Sequence, residues 1–245
     1  MRQITEITPS LFYYIQHLLI DSGNDSDKSS FAEIHERLYK PKIFTPEEFA
    51  EEVFYVICVA GFKQTTAKKM CSRVMEYIKQ NPNPNFDDLI KIYGNVNKIR
   101  AIIKVWNNRR ELHDEFYQLS TPEEKLEFLS KLPHIGNITK YHIARNLGIN
   151  FVKYDIWIQR LGVALYGNSE YAEKVSNSRL NPEIKAMCDK MFSDLEAKIN
   201  EKTGYIDVVL WKACQQGLFI IDKDKVFFDG DKFKNNNQNN QSEEK

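Results

Sequence analysis

The spacing of apolar and polar residues predicts a chain that is mostly helical. In Asn97–Phe116, Ile99, Ile102, Ile103 and Trp106 recur at the three- and four-residue intervals that place side chains on one face of a helix. Such a face becomes buried when the helix packs against its neighbours. The other segments with helical character are 46–60, 65–80, 86–93, 121–132, 156–166, 182–200 and 205–216.

Capping residues mark where several of these helices begin and end. Thr45 precedes a proline and two glutamates, and Thr121 is followed by Glu124, which completes a capping box. Gly61 and the two prolines within Asn81–Asn85 are stop signals, because glycine favours helix ends and proline cannot continue a helix. We therefore expect separate helices with well-defined ends.

Two segments depart from the helical pattern. Gly217–Asp229 contains two short apolar runs on either side of a polar turn, which predicts a β-hairpin. Asp21–Ser30 is rich in serine and aspartate and is predicted to be a polar loop. The predicted fold class is therefore all-α, with a short C-terminal hairpin.

The chain is predicted to have three regions. A helical N-terminal extension covers 1–45 and packs on a core that covers 46–229, and residues 230–245 form a tail. The tail ends in KNNNQNNQSEEK, which offers almost nothing that can be buried, so we expect it to be disordered.

Composition restricts the class of protein. The 245 residues carry a formal net charge of zero, so any nucleic acid must be bound through local clusters and backbone groups rather than bulk positive charge. No stretch is apolar enough to be a signal peptide or a membrane span, and we expect a cytoplasmic protein. The cysteines form no CxxC pair and are expected to be free thiols without a zinc or iron–sulfur site: Cys58, Cys71, Cys188 and Cys214.

A compact turn motif lies at 132–139, which reads LPHIGNIT. A proline and a glycine before a helix start bend the chain so that several backbone N–H groups point outward together, and that geometry binds a phosphate. Gly136 is the position where backbone and phosphate approach most closely. The alternative is a plain connection between two helices of a bundle.

Asp155 stands where the next helix begins. Its first possible role is that of an N-cap, which contributes about 1 kcal/mol to helix stability. Its second is catalytic, because a carboxylate held at a helix N-terminus stays ionised and can stabilise a developing positive charge. The two roles use the same geometry.

Residues 46–217 resemble the helix-hairpin-helix DNA glycosylases of the endonuclease III superfamily, with the hairpin at 132–139 and the catalytic acid within 153–161. The resemblance implies a bilobed all-α fold whose cleft holds double-stranded DNA and whose pocket receives a flipped base. His134 stands where many members have glycine. The resemblance implies that a DNA phosphate is faced by the backbone amides of His134, Gly136 and Thr139. It also implies that a monovalent cation is held by the backbone carbonyls of Ser130, Leu132 and Ile135.

The resemblance also implies a reaction. Asp155 stabilises an oxocarbenium-like sugar and orients water as the base leaves. Family members that also cut the strand carry a lysine nucleophile in the hairpin, and Ile138 occupies that position here. Lys140 lies two residues further on, which turns it about 200° around a helix. We therefore predict a monofunctional glycosylase, with a lyase that uses Lys140 and a non-catalytic DNA-binding protein as the alternatives.

Further residues are candidates for DNA contacts. Gln64 or Phe62 is predicted to fill the gap left by the flipped base, although either residue can equally serve the helix start or the core. The aromatic candidates for the base pocket, each of which can instead be core, are Tyr154, Trp157, Trp106 and Trp211. The basic candidates, which can instead form a solvated face, are Lys63, Lys68, Lys69, Arg73, Arg109, Arg110 and Lys140.

The substrate is the least defined part of the prediction. The segment after Cys214 lacks the four-cysteine iron–sulfur loop of the endonuclease III type, and no organic cofactor is expected. A monofunctional mechanism without this cluster favours an alkylated purine. We expect a monomer that acts on duplex DNA containing a damaged or mismatched base.

Overall fold

The computed structural model describes residues 1–22, 25–61 and 64–232, with only the backbone described for 22, 25–30 and 64–68. Helices dominate this part of the chain, and the predicted all-α fold class is confirmed. The helices are α1 (Pro9–Ser22), α2 (Asp25–Tyr39), α3 (Pro46–Val59), α4 (Gln64–Gln80), α5 (Phe86–Tyr93), α6 (Val96–Asn107), α7 (Arg109–Gln118), α8 (Pro122–Ser130), α9 (Thr139–Asn146), α10 (Ile156–Tyr166), α11 (Ser169–Ala172), α12 (Pro182–Lys198) and α13 (Thr203–Gln215). The strands are β1 (Arg2–Ile4), β2 (Phe219–Asp222) and β3 (Lys225–Phe228).

The chain divides into two compact units. The first combines Met1–Tyr39 with Asn150–Lys245, and the second is Lys40–Ile149. The N-terminal residues belong to the first unit because α1 and α2 pack on α13 and β1 pairs with β3. The two compact units therefore meet near residues 40 and 150 of the chain. The division into an extension, a core and a tail at residues 45 and 229 stays a prediction.

The unit Lys40–Ile149 is built around α3. This helix begins at Thr45 with the predicted capping box, in which the Thr45 hydroxyl accepts from the Glu48 N–H and the Glu48 carboxylate accepts from the Thr45 N–H. Phe49, Val53 and Phe54 are fully buried, as expected for a helix that packs against α4, α6, α7 and α9.

The predicted single helix Asn97–Phe116 is wrong, because two helices meet at Asn108. The Asn108 side chain donates to the Lys104 carbonyl at 2.8 Å, and Arg109 Nη1 donates to the Trp106 carbonyl at 2.9 Å. Side chains that bond nearby backbone carbonyls compete with helix continuation, and asparagine does this readily. The apolar periodicity runs through the break and therefore hides it.

The predicted polar loop Asp21–Ser30 is also wrong over most of its length. α1 continues to Ser22 and α2 already begins at Asp25. Acidic residues are favourable in the first turn of a helix because they face its positive end, and Asp25 and Asp27 occupy that turn. Low apolar content therefore does not indicate a loop here.

The C-terminal hairpin predicted in Gly217–Asp229 is confirmed. β2 and β3 pair antiparallel, and Lys223 lies in the turn with a φ of 51°. β1 adds a third strand on the other side of β3, so that the sheet order is β1-β3-β2. β1 is only three residues long, which is too short to give a recognisable alternation in the sequence.

Candidate active site

Asp155 is the N-cap of α10, as predicted. Its Oδ1 accepts hydrogen bonds from the backbone N–H groups of Trp157, at 3.0 Å, and Ile158, at 3.3 Å. Its φ and ψ of −78° and 178° are those of an extended residue outside the helix. The carboxylate is thereby fixed at the positive end of α10, and only one of its oxygens is used for capping.

The second oxygen of Asp155 faces a lysine that the sequence did not single out. Lys153 Nζ lies 3.5 Å from Asp155 Oδ2, and the two side chains are 18% and 12% exposed respectively. The Asp155 N–H donates to the Lys153 carbonyl at 2.7 Å, which closes a three-residue turn around Tyr154. This turn places an amine and a carboxylate side by side at the start of α10.

Two buried polar side chains anchor the turn. Asp207 Oδ2 accepts from the Lys153 backbone N–H at 3.1 Å, and Gln159 Nε2 donates to the Tyr154 carbonyl at 2.8 Å. Both Asp207 and Gln159 are fully buried, so these bonds form in a medium where their loss is costly. The signal for them in the sequence is a polar residue within a largely apolar helix segment: Asp207 in IDVVLW, and Gln159 next to the exposed Arg160 in IWIQRL.

Of the predicted pocket residues, Trp157 and Trp211 lie at this site. Both are partly exposed, and Lys153 Nζ stands 5.6 Å from the centroid of the Trp211 ring. The guanidinium of Arg160 stands 5.6 Å from the Trp157 ring. An amine, a carboxylate and two accessible indoles therefore belong to the same unit of the protein.

Tyr154 and Trp106 are placed differently. Tyr154 is buried, and its hydroxyl donates to Asp189 Oδ1, which also pairs with a lysine of α12. Trp106 is buried in the Lys40–Ile149 unit, and its Nε1 donates to the Pro82 carbonyl at 3.0 Å. Neither ring is open to a ligand in this conformation, so their placement favours packing.

Two buried cysteines in the same unit as Asp155 do not supply a nucleophile. Burial, followed by negative charges that include Asp155 and Asp207, raises the pKa of the Cys188 and Cys214 thiols. Both thiols therefore stay protonated at neutral pH. The thiolate is the reactive form of cysteine, so neither thiol is a candidate nucleophile.

The turn at 132–139 is formed as the sequence predicts, at the start of α9. The Lys140 N–H donates to the Gly136 carbonyl at 3.2 Å, while the Gly136 N–H donates to Thr139 Oγ1 at 2.7 Å. The Gly136 amide, predicted to face a phosphate, is thus engaged by the threonine hydroxyl within the turn. The phosphate contacts of His134 and Thr139 stay predictions.

His134 adopts a left-handed backbone conformation. Its φ is 64°, a region that glycine enters freely and other residues enter at a cost. Partial desolvation, followed by the positive charge of Lys98, lowers the pKa of the imidazole, which is therefore neutral at pH 7. The backbone conformation explains why glycine is common at this position in the family that the sequence resembles.

His134→Gly is expected to stabilise the protein by up to about 1 kcal/mol, because it removes the left-handed strain of a residue with a β-carbon. His134→Ala keeps the β-carbon and is expected to be no more stable than the wild type. Urea unfolding of the three proteins measures the difference. Equal stability of the glycine and alanine variants would contradict the positive φ as a source of strain.

Ile138 and Lys140 differ in their surroundings. Ile138 is buried directly before α9, so its side chain is part of the core. Lys140 is half-buried, and its Nζ stands 5.4 Å from the centroid of the neighbouring Tyr141 ring. The Leu132 carbonyl of the predicted cation site already accepts from the Ile135 N–H at 3.2 Å. Cation binding by Ser130, Leu132 and Ile135 stays a prediction.

The structure describes only some of the residues predicted to fill the gap left by the flipped base or to provide basic DNA contacts. Phe62 and Lys63 lie outside the described residues, as do the side chains of Gln64 and Lys68. Arg109 Nε pairs with Glu47 Oε1 at 2.8 Å, and its guanidinium stands 4.2 Å from the centroid of the Trp106 ring. Both contacts are made within the unit Lys40–Ile149. The basic candidates with exposed side chains are Lys69, Arg73 and Arg110.

A cavity of about 420 Å³ in the Lys40–Ile149 unit is lined by Pro82, Asn83, Pro84, Asn107 and Arg109. Of these, only Arg109 is among the predicted site residues, as a basic candidate. None is an aromatic candidate for stacking on a base. The cavity is therefore not the base pocket expected from the sequence.

The predicted all-α fold is confirmed, and within it the turn at 132–139 and the Asp155 N-cap are formed. No protein-family model matches the chain, and no curated protein matches it in sequence. Among the described residues, no helix combines the length and apolar character needed to cross a membrane.

The particular structures that the chain is similar to are 8-oxoguanine DNA glycosylases. The enzyme of Thermotoga maritima matches with a TM-score of 0.59 and 16% identity, over 87% of this chain and 99% of that chain. The enzyme of Methanocaldococcus jannaschii matches with a TM-score of 0.61 and 17% identity, over 85% and 94%. A structure of the latter organism's 8-oxoguanine glycosylase/lyase, in complex with DNA containing 8-oxoguanine, matches with a TM-score of 0.60 and 17% identity, over 85% and 98%. The likeness thus extends over nearly the whole of each neighbour.

Proposed function

We propose that this protein is a DNA glycosylase that hydrolyses the bond between a damaged base and its deoxyribose in duplex DNA. The observation that carries the proposal is the geometry of Asp155. The carboxylate is held at the N-terminus of α10 by two backbone N–H groups, and its second oxygen is not used for capping. The fold shared with known glycosylases supports the same assignment.

Asp155 suits this reaction for electrostatic reasons. Loss of the base leaves positive charge on C1′ and the ring oxygen of the sugar, and a fixed carboxylate stabilises that charge without having to reorganise. Asp155 Oδ2 is also the atom positioned to orient an attacking water. Trp157 and Trp211 are the indoles available to stack on an extruded base.

Base release is proposed to use water, because the hairpin position at which strand-cutting relatives carry a lysine is the buried Ile138. An alkyl side chain cannot attack C1′. The proposed substrate is a damaged purine, and the lack of a four-cysteine loop after Cys214, together with a monofunctional mechanism, favours an alkylated purine. The neighbours favour 8-oxoguanine as a second candidate, since that is the base named for each of them.

A second mechanism is supported by one of the comparisons. The Methanocaldococcus jannaschii protein solved with DNA is a glycosylase/lyase, which favours an amine nucleophile in proteins of this fold. In this chain the amine in the hairpin is that of Lys140. Its side chain points about 200° around the helix from that of Ile138, so the start of α9 would have to change for Lys140 to take the place of the missing nucleophile. A non-catalytic DNA-binding protein is the remaining alternative.

A panel of lesion-bearing duplexes tests the proposal. Duplexes that carry an alkylated purine, 8-oxoguanine, uracil or a thymine mismatch are incubated with the protein, and alkali then cleaves any abasic sites. We expect alkali-dependent strand breaks with a damaged purine. Salt-sensitive duplex binding without breaks from any lesion would instead support a binding protein.

A further inference from the structure

Lys153 has the placement of an active-site amine. Its Nζ lies 3.5 Å from Asp155 Oδ2, and its side chain is four-fifths buried between the carboxylate and the Trp211 ring. The backbone N–H of Lys153 is fixed by Asp207 at 3.1 Å, so the residue is held from both its main chain and its side chain. No step of the proposed base release uses this amine.

We propose that the Lys153 amine condenses with the abasic site left after base release and thereby gives the protein an abasic-site lyase activity. The inference rests on the proposed function, which places the sugar C1′ against Asp155 Oδ2. An amine 3.5 Å from that oxygen is within reach of C1′ once the sugar ring opens. The nucleophile that is absent at Ile138 is thereby supplied by a residue next to the acid.

The chemistry uses only groups present at the site and in the product. The abasic sugar opens to an aldehyde at C1′, and the Lys153 ammonium gives up a proton, for which Asp155 Oδ2 is an acceptor at 3.5 Å. The amine adds to C1′ to form a carbinolamine, which loses water and becomes an imine. Asp155 returns its proton to the departing hydroxyl, which leaves as water, and the freed carboxylate then accepts a C2′ proton, so that the electron pair of the C–H bond expels the 3′ phosphate and cuts the strand. Hydrolysis of the imine returns the free amine.

Lys153 is better placed for this role than Lys140. Lys140 Nζ stands over the ring of its neighbour Tyr141, at 5.4 Å from the centroid. Lys153 contacts the carboxylate directly and lies on the same short turn. The proposal therefore assigns the covalent step to Lys153 and leaves Lys140 as a residue for DNA contact.

Borohydride trapping on a preformed abasic-site duplex tests the proposal without knowledge of the excised lesion. Uracil-DNA glycosylase converts a uracil-containing duplex to the abasic substrate, and borohydride reduces any imine to a stable amine that holds protein and DNA together on a denaturing gel. We expect an adduct with the wild type, and a loss of at least about tenfold in Lys153→Ala because the nucleophile is gone.

Two further variants separate chemistry from structure. Lys153→Arg keeps a positive charge beside Asp155 but cannot form this imine, so it should lose the adduct. Lys185→Ala is the matched control, because Lys185 also pairs with an aspartate and stands 4.9 Å from an aromatic ring, that of Tyr154. We expect this control to trap like the wild type.

The outcomes separate this inference from the proposed function. Base release without an adduct, or an adduct that persists in Lys153→Ala, overturns the role of Lys153 and leaves the glycosylase proposal standing. Loss of the adduct in Lys140→Ala but not in Lys153→Ala supports the hairpin lysine instead. An adduct that depends on Lys153, with no base release from any lesion, supports the amine and overturns the glycosylase proposal.

Discussion

Asp155→Asn is expected to reduce the rate of base release by roughly 10²–10³-fold, the loss typical when one group that stabilises transition-state charge is removed. Asparagine has the shape of aspartate and is an equally good N-cap, so its side-chain oxygen can still accept from the N–H groups of Trp157 and Ile158. The variant therefore removes the negative charge and retains the cap. Single-turnover kinetics on the cleaved lesion measure the loss.

Asp155→Ala is the companion variant, because it removes both the charge and the cap. Both variants lose the pairing with the Lys153 amine, so the cap is measured by their difference: Asp155→Ala should be less stable than Asp155→Asn by about 1 kcal/mol, the usual cost of a lost N-cap. Both variants should be equally impaired in catalysis. Full base release by Asp155→Asn would show that Asp155 is only a helix cap.

The helices were predictable where their ends carry local chemistry. Thr45 and Thr121 begin α3 and α8 with capping boxes that can be read from a few adjacent residues. The break at Asn108 and the strand β1 were not predictable in this way. The first depends on side chains that turn back onto the Lys104 and Trp106 carbonyls, and the second on a partner strand more than 200 residues away in the sequence.

In the candidate site, too, the features set by neighbouring residues were predictable and those set by distant contacts were not. The position of Asp155 was predictable because N-capping is local, and the turn at 132–139 because proline and glycine specify it. Lys153 was not, because its approach to Asp155 requires the three-residue turn around Tyr154. That turn is held by Asp207, which comes from a helix about 50 residues further along the chain. Sequence spacing alone gives no indication of such a contact.

The helix that Asp155 caps is positioned by a close approach at Gly162. A β-carbon at Gly162 would lie 2.6 Å from Cys188 Sγ, and 3.2 and 3.3 Å from the Cys188 Cα and N atoms. α10 and α12 therefore pack together through a glycine, with part of the contact made by the α12 backbone. A side chain can move away from a new methyl group, but the backbone of a packed helix cannot do so cheaply.

Gly162→Ala is expected to destabilise the protein, against the usual preference of helices for alanine. In an open helix the change would stabilise by roughly 0.5–1 kcal/mol. Forcing a methyl group into a packed interface typically costs about 1–3 kcal/mol. This cost exceeds the gain from alanine, so we expect the free energy of unfolding to fall by about 1–2 kcal/mol. For a chain of this size each kcal/mol lowers the midpoint of thermal unfolding by about 2–4 °C. Thermal and urea unfolding measure the change.

Cys188→Ala combined with Gly162→Ala should recover part of the loss. It removes the sulfur at 2.6 Å and leaves the Cα and N contacts above 3.0 Å, so a double-mutant cycle should show favourable coupling between the two substitutions. Gly136→Ala is the control, because a β-carbon there meets only Thr139 Oγ1, at 3.9 Å, and stability should change by no more than about 0.5 kcal/mol. If Gly162→Ala were as harmless as Gly136→Ala, α10 and α12 would not be packed as closely as the structure has them, and the position of Asp155 would depend on its own turn alone.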